Sequence, residues 1–470
     1  MDYVHNLPSR LLIKKLHSPL LNFLKISFVF LISSTEAHFI LHRWKSLYHL
    51  LPITLFLGLF ALQRFLFKPL PIYVVDFSCL RPPRRYRAPN SGFIENATLI
   101  NIFDEDSVRF MGKVMAAAGH GQETCLPPLL HYIPPRTRHP DNIEEAHMLY
   151  FPVMDDLLAK TNLSPREIDI LVLNCSGFCP APSLSSLVVN RYAMRPDVKS
   201  FNLSGMGCSG GSIGINVAHN LLRVHRDSYA VVLSGEILST GWYAGKDPRK
   251  LLLNCSFRMG SSAVLLTNRN DAKEVSKYKI LKMVRTQTAS DDSSYTAAMR
   301  VEDSEGLTGF SVERRLFQVV AEALHGNIAA FGRVVLPLQE KIRYLVSRLM
   351  MKDTYVPDFG SVIQHYCIPS SGTGWIREIG KRLKLTNEVL EAPIATLQRF
   401  GNMSSASWWY QMAYVEGKGR MRKGDRVWQL WMGSGFKSAS ILLECIRDLE
   451  AEEEKMNGPW FDCIHRYPIS

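Results

Sequence analysis

The segment FNLSGMGCSGG (201–211) places Cys208 behind a strand-like run and a glycine-rich turn, and ahead of a helical pattern. A thiol there sits at a helix N-terminus, where free N–H groups and the macrodipole favour its thiolate. The thiolate is the reactive form, so a lowered pKa makes such a cysteine a nucleophile near neutral pH. The glycines let backbone approach a bulky substrate closely. The competing reading is a small buried residue beside a tight turn. The chain has nine cysteines, and Cys79, Cys125, Cys175, Cys255 and Cys445 lack this context and read as packing residues. Their odd number and scatter are unlike a secreted disulfide framework, so the main body is expected to face a reducing compartment. Cys175 and Cys179 have the wrong spacing for a zinc ribbon, and no metal or cofactor is expected.

The segment around Cys208 resembles the active-site segment of plant 3-ketoacyl-CoA synthases, the condensing enzymes of fatty acid elongation. Further segments resemble the family in the same order: VVDFSC (74–79), NCSGFCPAPSLSSLVVNRYAMR (174–195), LNCSFRMG (253–260), VLPLQEK (335–341), FGNMSSAS (400–407), YVEGKGRMRKGD (414–425) and GSGFK (433–437). The resemblance implies a thiolase fold, five αβαβα layers in two similar halves. It also implies a cysteine that takes an acyl group from acyl-CoA, then loses it to the enolate formed by decarboxylating malonyl-CoA. The donors for the enolate oxygen in this family are a histidine and an asparagine.

On that resemblance the asparagine is Asn402, in FGN (400–402). The histidine segment reads HYCIPSSG (365–372): His365 matches the family's first histidine, and Pro369 stands where the second is expected. Proline has neither a side-chain donor nor a backbone N–H. Four residues of strand separate His365 from that place by roughly 13 Å, far beyond hydrogen-bond reach. Gln398 and Gln287 replace two further family histidines, while His325 and His465 lie in no equivalent frame. The candidate site residues are Cys208, His365 and Asn402, with condensation in doubt because of Pro369.

These residues require particular elements to hold them. Strands are predicted at 168–176, 198–205, 228–236 and 261–269, and a helix at 209–225. In the second half, 312–332 reads as a helix ended by Gly332, 361–368 as a strand, 375–385 as an amphipathic helix and 425–436 as a strand running into a glycine-rich turn. Alternation of this kind argues for a layered α/β fold. The expected domains are a membrane anchor (1–70), a half carrying the nucleophile (71–275) and a half carrying the His and Asn segments (276–470).

Residues 47–67 form an apolar stretch with a charge-free centre from Leu50 to Leu62, about the length of a spanning helix. The stretch 16–41 is weaker, since it carries Lys25 and Glu36. Basic residues on both outer flanks favour the cytoplasmic face for both ends of the pair. The 81–89 stretch, RPPRRYRAP, reads as an extended basic linker, and the charged run 450–455 as a solvated helix end. The net charge of +12 fits CoA phosphates or an anionic membrane, and no nucleic-acid-binding pattern accompanies it.

The leading expectation is a very-long-chain 3-ketoacyl-CoA synthase of the endoplasmic reticulum membrane with a cytosolic body. Its partners would be acyl-CoA, malonyl-CoA, the membrane, other elongase components and a second copy in a homodimer. The alternative is a catalytically impaired member that binds acyl-CoA or regulates an active relative. A soluble chalcone-synthase-like enzyme shares the Cys/His/Asn logic, and the apolar N-terminus argues against it.

Overall fold

The computed structural model describes residues 27–28, 30–35, 38, 52, 54–60, 70–350, 356–449 and 458–469. The chain divides into two units, Met1–Leu70 and Pro71–Ser470. In the first, Pro52 and residues 54–60 are helical, and Leu55, Phe56, Leu57, Leu59 and Phe60 stand exposed. No helix among the described residues is long and apolar enough to cross a membrane. Most of the expected spans, 16–41 and 47–67, and the whole charged run 450–455 lie outside the described residues.

The second unit is built on a nine-stranded mixed sheet. Its first-half strands are β1 (Tyr73–Cys79), β2 (Ile168–Asn174), β3 (Lys199–Leu203), β4 (Tyr229–Gly235) and β5 (Ser261–Thr267). Its second-half strands are β6 (Tyr278–Gln287), β9 (His365–Cys367), β10 (Arg426–Gly433) and β11 (Lys437–Cys445). A separate hairpin pairs β7 (Ala298–Glu302) with β8 (Thr308–Val312). The sheet order is β3-β2-β4-β5-β1-β6-β11-β10-β9.

The two sides of this sheet repeat one hydrogen-bond pattern. β2 is parallel to β4, β4 antiparallel to β5, and β5 antiparallel to β1. Likewise β9 is parallel to β10, β10 antiparallel to β11, and β11 antiparallel to β6. A short antiparallel contact, Tyr73 with Lys279 and Val74 with Tyr278, joins them. β2, β4 and β5 are almost wholly buried and read as near-continuous apolar runs, as strands covered on both faces must.

Each side also feeds a buried helix. Gly210–Leu222 follows β3, and Ser407–Gly417 follows the loop at Gly401. All eleven residues of Ser407–Gly417 are buried, as expected of a helix covered all round. Two of its polar members are paired: Gln411 bonds Ile368 and Ser370, and Glu416 accepts from the Lys277 ammonium at 2.9 Å. Trp408 stacks on Trp431 at 3.9 Å between ring centroids and donates its indole N–H to the Leu430 carbonyl.

Three sequence expectations need correction. The strand expected at 361–368 is only His365–Cys367, because 360–362 form a turn in which the Val362 and Ile363 N–H groups donate back to the Phe359 carbonyl. The second-half helix is Leu316–Val335 and runs through Gly332. A Cβ at Gly332 would approach Leu336 at 3.2 Å and Phe359 at 3.4 Å, so this glycine serves close packing. Pro337 ends the helix by forcing Leu336 into extended backbone. The stretch 81–89 is no free linker: it holds a short turn, Arg84–Tyr86, and a strand-like bridge from Arg87 to Cys125. Arg87 is also paired with Glu123 at 2.7 Å.

Candidate active site

Cys208 lies in a short turn, Gly207–Ser209, directly ahead of the helix Gly210–Leu222. Gly207 has φ +59°, and a Cβ there would meet the Ser434 backbone nitrogen at 2.6 Å. Only glycine fits, because the turn presses against the β10–β11 connection. A Cβ at Gly211 would meet the Trp431 ring at 2.7 Å, so the helix packs backbone-close against β10. This glycine pattern delivers Cys208, half-buried, to the wall of a cavity of about 1680 Å³.

Asn402 lies on the same cavity wall. Its carbonyl accepts from the Arg258 N–H at 2.8 Å, and it forms a parallel bridge with Phe257. Gly401, at φ +76°, leaves no room for a Cβ beside the Arg258 side chain, which would stand 2.4 Å away. The Asn402 side-chain oxygen accepts from the Ser404 N–H at 3.0 Å. That bond uses the amide oxygen and leaves the donating end, the amide nitrogen, to other partners. Ser404 has φ +51°, an unfavourable region for a residue with a Cβ. Such a backbone costs about 1–3 kcal/mol and persists where its surroundings over-determine it. Here the Ser404 hydroxyl donates to Cys208 Sγ at 3.4 Å, joining residues 196 apart in the chain.

The thiol departs from the sequence expectation in one respect. Burial pushes Cys208 up to about 11, while the Ser404 hydroxyl pulls it down by less. Glu236, a further acid on the cavity wall, also disfavours the thiolate. Desolvation therefore outweighs the turn-and-helix position.

The chain matches the family model described as FAE1/Type III polyketide synthase-like protein over residues 64–354. It matches the C-terminal model of 3-oxoacyl-[acyl-carrier-protein] synthase III over 361–445. It is 43% identical over 440 residues to 3-ketoacyl-CoA synthase 6 of Arabidopsis thaliana, covering 92% of this chain and 88% of the relative. Synthase 5 of the same plant is 43% identical over 411 residues, covering 86% of this chain and 83% of that one. The chain belongs to the 3-ketoacyl-CoA synthase family. Among solved structures it is similar to a fungal type III polyketide synthase, with TM-score 0.64 and 17% identity over 80% of this chain and 99% of that one. That likeness shows the fold, a mixed α/β arrangement of the thiolase and chalcone-synthase kind.

Within this 3-ketoacyl-CoA synthase fold, two of the three candidate residues come together and one does not. Cys208 and Asn402 share the cavity, whereas His365 is not among its lining residues. On β9 its Nε2 lies 2.9 Å from Asp425 Oδ2, so the ring is spent on a neighbouring turn. Pro369 is buried in the segment after β9, and Gln411 grips its neighbours Ile368 and Ser370. From that segment Ser371 and Gly372 line the cavity, and neither brings an imidazole. Gln287 ends β6 opposite Lys437, and the Gln398 carbonyl accepts from Gly121 N–H at 2.9 Å. His120 is buried and held neutral, down to about 3 through burial and then the Arg258 charge.

Glu236 escaped the sequence reading. It follows β4 and accepts from the Gly177 N–H at 2.6 Å and the Ser176 N–H at 3.1 Å. Burial raises its carboxyl above the ordinary value. The one sequence signal was an acid at the very end of an apolar strand, in SYAVVLSGE.

Away from Cys208 the cavity is mostly apolar, walled by Leu316, Val320, Leu324, Leu336, Ile379 and Leu383. Its volume exceeds the roughly 300–1,000 Å³ of ordinary small-molecule sites.

Proposed function

We propose that this protein is a very-long-chain 3-ketoacyl-CoA synthase. It condenses a long-chain acyl-CoA with malonyl-CoA and releases CO₂ and CoA. The observation that carries the reading is the junction of Cys208 with Asn402 and Ser404 on the wall of a large apolar cavity, in a chain of this family.

In the first step the Cys208 thiolate attacks the acyl thioester carbonyl. A new C–S bond forms and CoA leaves as its thiolate, to be protonated. Decarboxylation of malonyl-CoA then gives an enolate whose carbon attacks the acyl-Cys208 carbonyl and expels the Cys208 thiolate. Negative charge rises on the thioester oxygens in both steps. The free Asn402 amide N–H groups support the reading of this residue as the donor to that charge. Ser404 supplies a hydroxyl for the thiolate, both before attack and when it is expelled, in a site where Pro369 brings no imidazole. His365 stands off the cavity wall, with its ring against Asp425.

The apolar N-terminal stretches and their basic flanks support a membrane anchor over 1–70, with the body cytosolic at the endoplasmic reticulum. The repeated strand pattern supports a five-layered body divided near residue 275, and the exposed edge strand β3 supports a homodimer. Association with other elongase components follows from the reaction, whose 3-keto product requires reduction.

Membranes from cells expressing the chain are expected to elongate labelled long-chain acyl-CoA with malonyl-CoA, and membranes carrying Cys208→Ala to show only background. Equal incorporation by both would sink the proposal.

A further inference from the structure

The helix Leu338–Leu349 is amphipathic the wrong way round for a helix docked on its own protein. Leu338, Ile342, Leu345, Val346 and Leu349 fall at spacings of four, seven, eight and eleven from the first, so they share one face. All five are exposed, from 46% at Val346 to 76% at Leu349, and Met350 continues the patch at 62%. The residue turned inward is Glu340, which is buried. It accepts from Arg343 at 2.6 Å and from the Asp358 N–H at 3.2 Å. Apolar patches this size, laid out at helical spacing, mark an interaction surface.

We propose that this helix lies in the interface of an anionic bilayer, as a second membrane contact beyond the N-terminal anchor. At 1.5 Å per residue, twelve residues extend about 18 Å, too short to span and suited to lying in the plane. Between residues 333 and 350 the sequence has Arg333, Lys341, Arg343 and Arg348 against one acid, Glu340. That charge complements acidic headgroups beside an apolar face that enters the acyl region.

The helix also forms part of the cavity wall through Lys341, Tyr344 and Leu345. Resting on the reading above as a long-chain acyl-CoA enzyme, the docked helix brings that cavity to the leaflet where its substrate's chain resides.

The full chain is reconstituted in phosphatidylserine–phosphatidylcholine vesicles containing a phosphatidylcholine with a photoactivatable acyl chain. Cross-linked peptides are mapped after illumination. Lipid adducts are expected within 338–350, at lower yield in pure phosphatidylcholine vesicles. The variant Ile342→Ser/Val346→Ser/Leu349→Ser should lose them at least fivefold with an unchanged melting temperature, since the three side chains are exposed and lie off the cavity. A Cys208→Ala chain should label like the parent, which separates this surface from the chemistry. Adducts confined to residues before 71, or none within 338–350, overturn the proposal. Equal labelling with and without phosphatidylserine overturns the role of the basic flank.

Discussion

The turns Gly207–Ser209 and Ser404–Ala406 are counterparts, each a short 3-10 turn that opens into a buried helix of its own half. They differ in what they deliver. The first is surrounded by glycines, and its cargo is a single thiol with the backbone drawn close around it. The second has one glycine, Gly401, and delivers an amide, Asn402, and a strained serine whose hydroxyl reaches the thiol. One turn therefore presents a thiol, and the other presents an amide and a hydroxyl. The segment after β9, a further arm of the second half, brings Pro369 instead of an acid. The comparison teaches that both turns bring their groups to the thiol's cavity, whereas the segment after β9 brings no imidazole there.

The amide side of this comparison breaks most sharply. Asn402→Ala removes the donor to the developing oxyanion, and condensation measured with labelled malonyl-CoA should fall by about 10²–10³. A variant within threefold of the parent would mean that Asn402 does not face the reacting oxygen.

Restoring the missing arm sharpens the comparison from the other side. Pro369→His should raise the condensation rate by about 10²-fold, the scale of one oxyanion donor. The same assay scores it, and an unchanged rate in a chain that still melts like the parent would show that residue 369 lies out of reach of the substrate.

The smallest effect is at the thiol. Burial holds Cys208 up to about 11, so the neutral form is favoured at physiological pH. The thiolate is then about one part in a thousand at pH 8. Alkylation of Cys208 by iodoacetamide should rise about tenfold per pH unit beyond the ordinary thiol range and level off only near 11. Ser404→Ala removes a bond that favours the thiolate, so the curve should move further to alkaline pH, with rates about tenfold lower at pH 8. A curve levelling near 8.5 in the parent would contradict the burial argument.

Much of this site is legible in the sequence, for local reasons. A strand, a glycine turn and a helix follow one another within 201–211, so Cys208 declares itself. Asn402 was reached through family resemblance, since an asparagine in a loop has many ordinary uses. Ser404 was not legible: the sequence has two serines in a row there, and the partner of the relevant one is 196 residues away. His365 matched a family position, yet tertiary packing gave its ring to Asp425. Gly332 misled because a packing glycine and a stop glycine look alike until the neighbouring Phe359 is in place. The strand alternation of both halves was readable from apolar runs, whereas the repeat relating them lies in hydrogen-bond pattern and leaves little trace in residue identity.

Covalent loading of the thiol tests the central claim most directly. The reconstituted chain is incubated with a long-chain acyl-CoA alone, digested and analysed by mass spectrometry. The account predicts one peptide, the one containing Cys208, heavier by the acyl group, and return to its original mass with release of 3-ketoacyl-CoA when malonyl-CoA is added. An acyl group on another cysteine, or none on Cys208 while 3-ketoacyl-CoA is still produced, would contradict it.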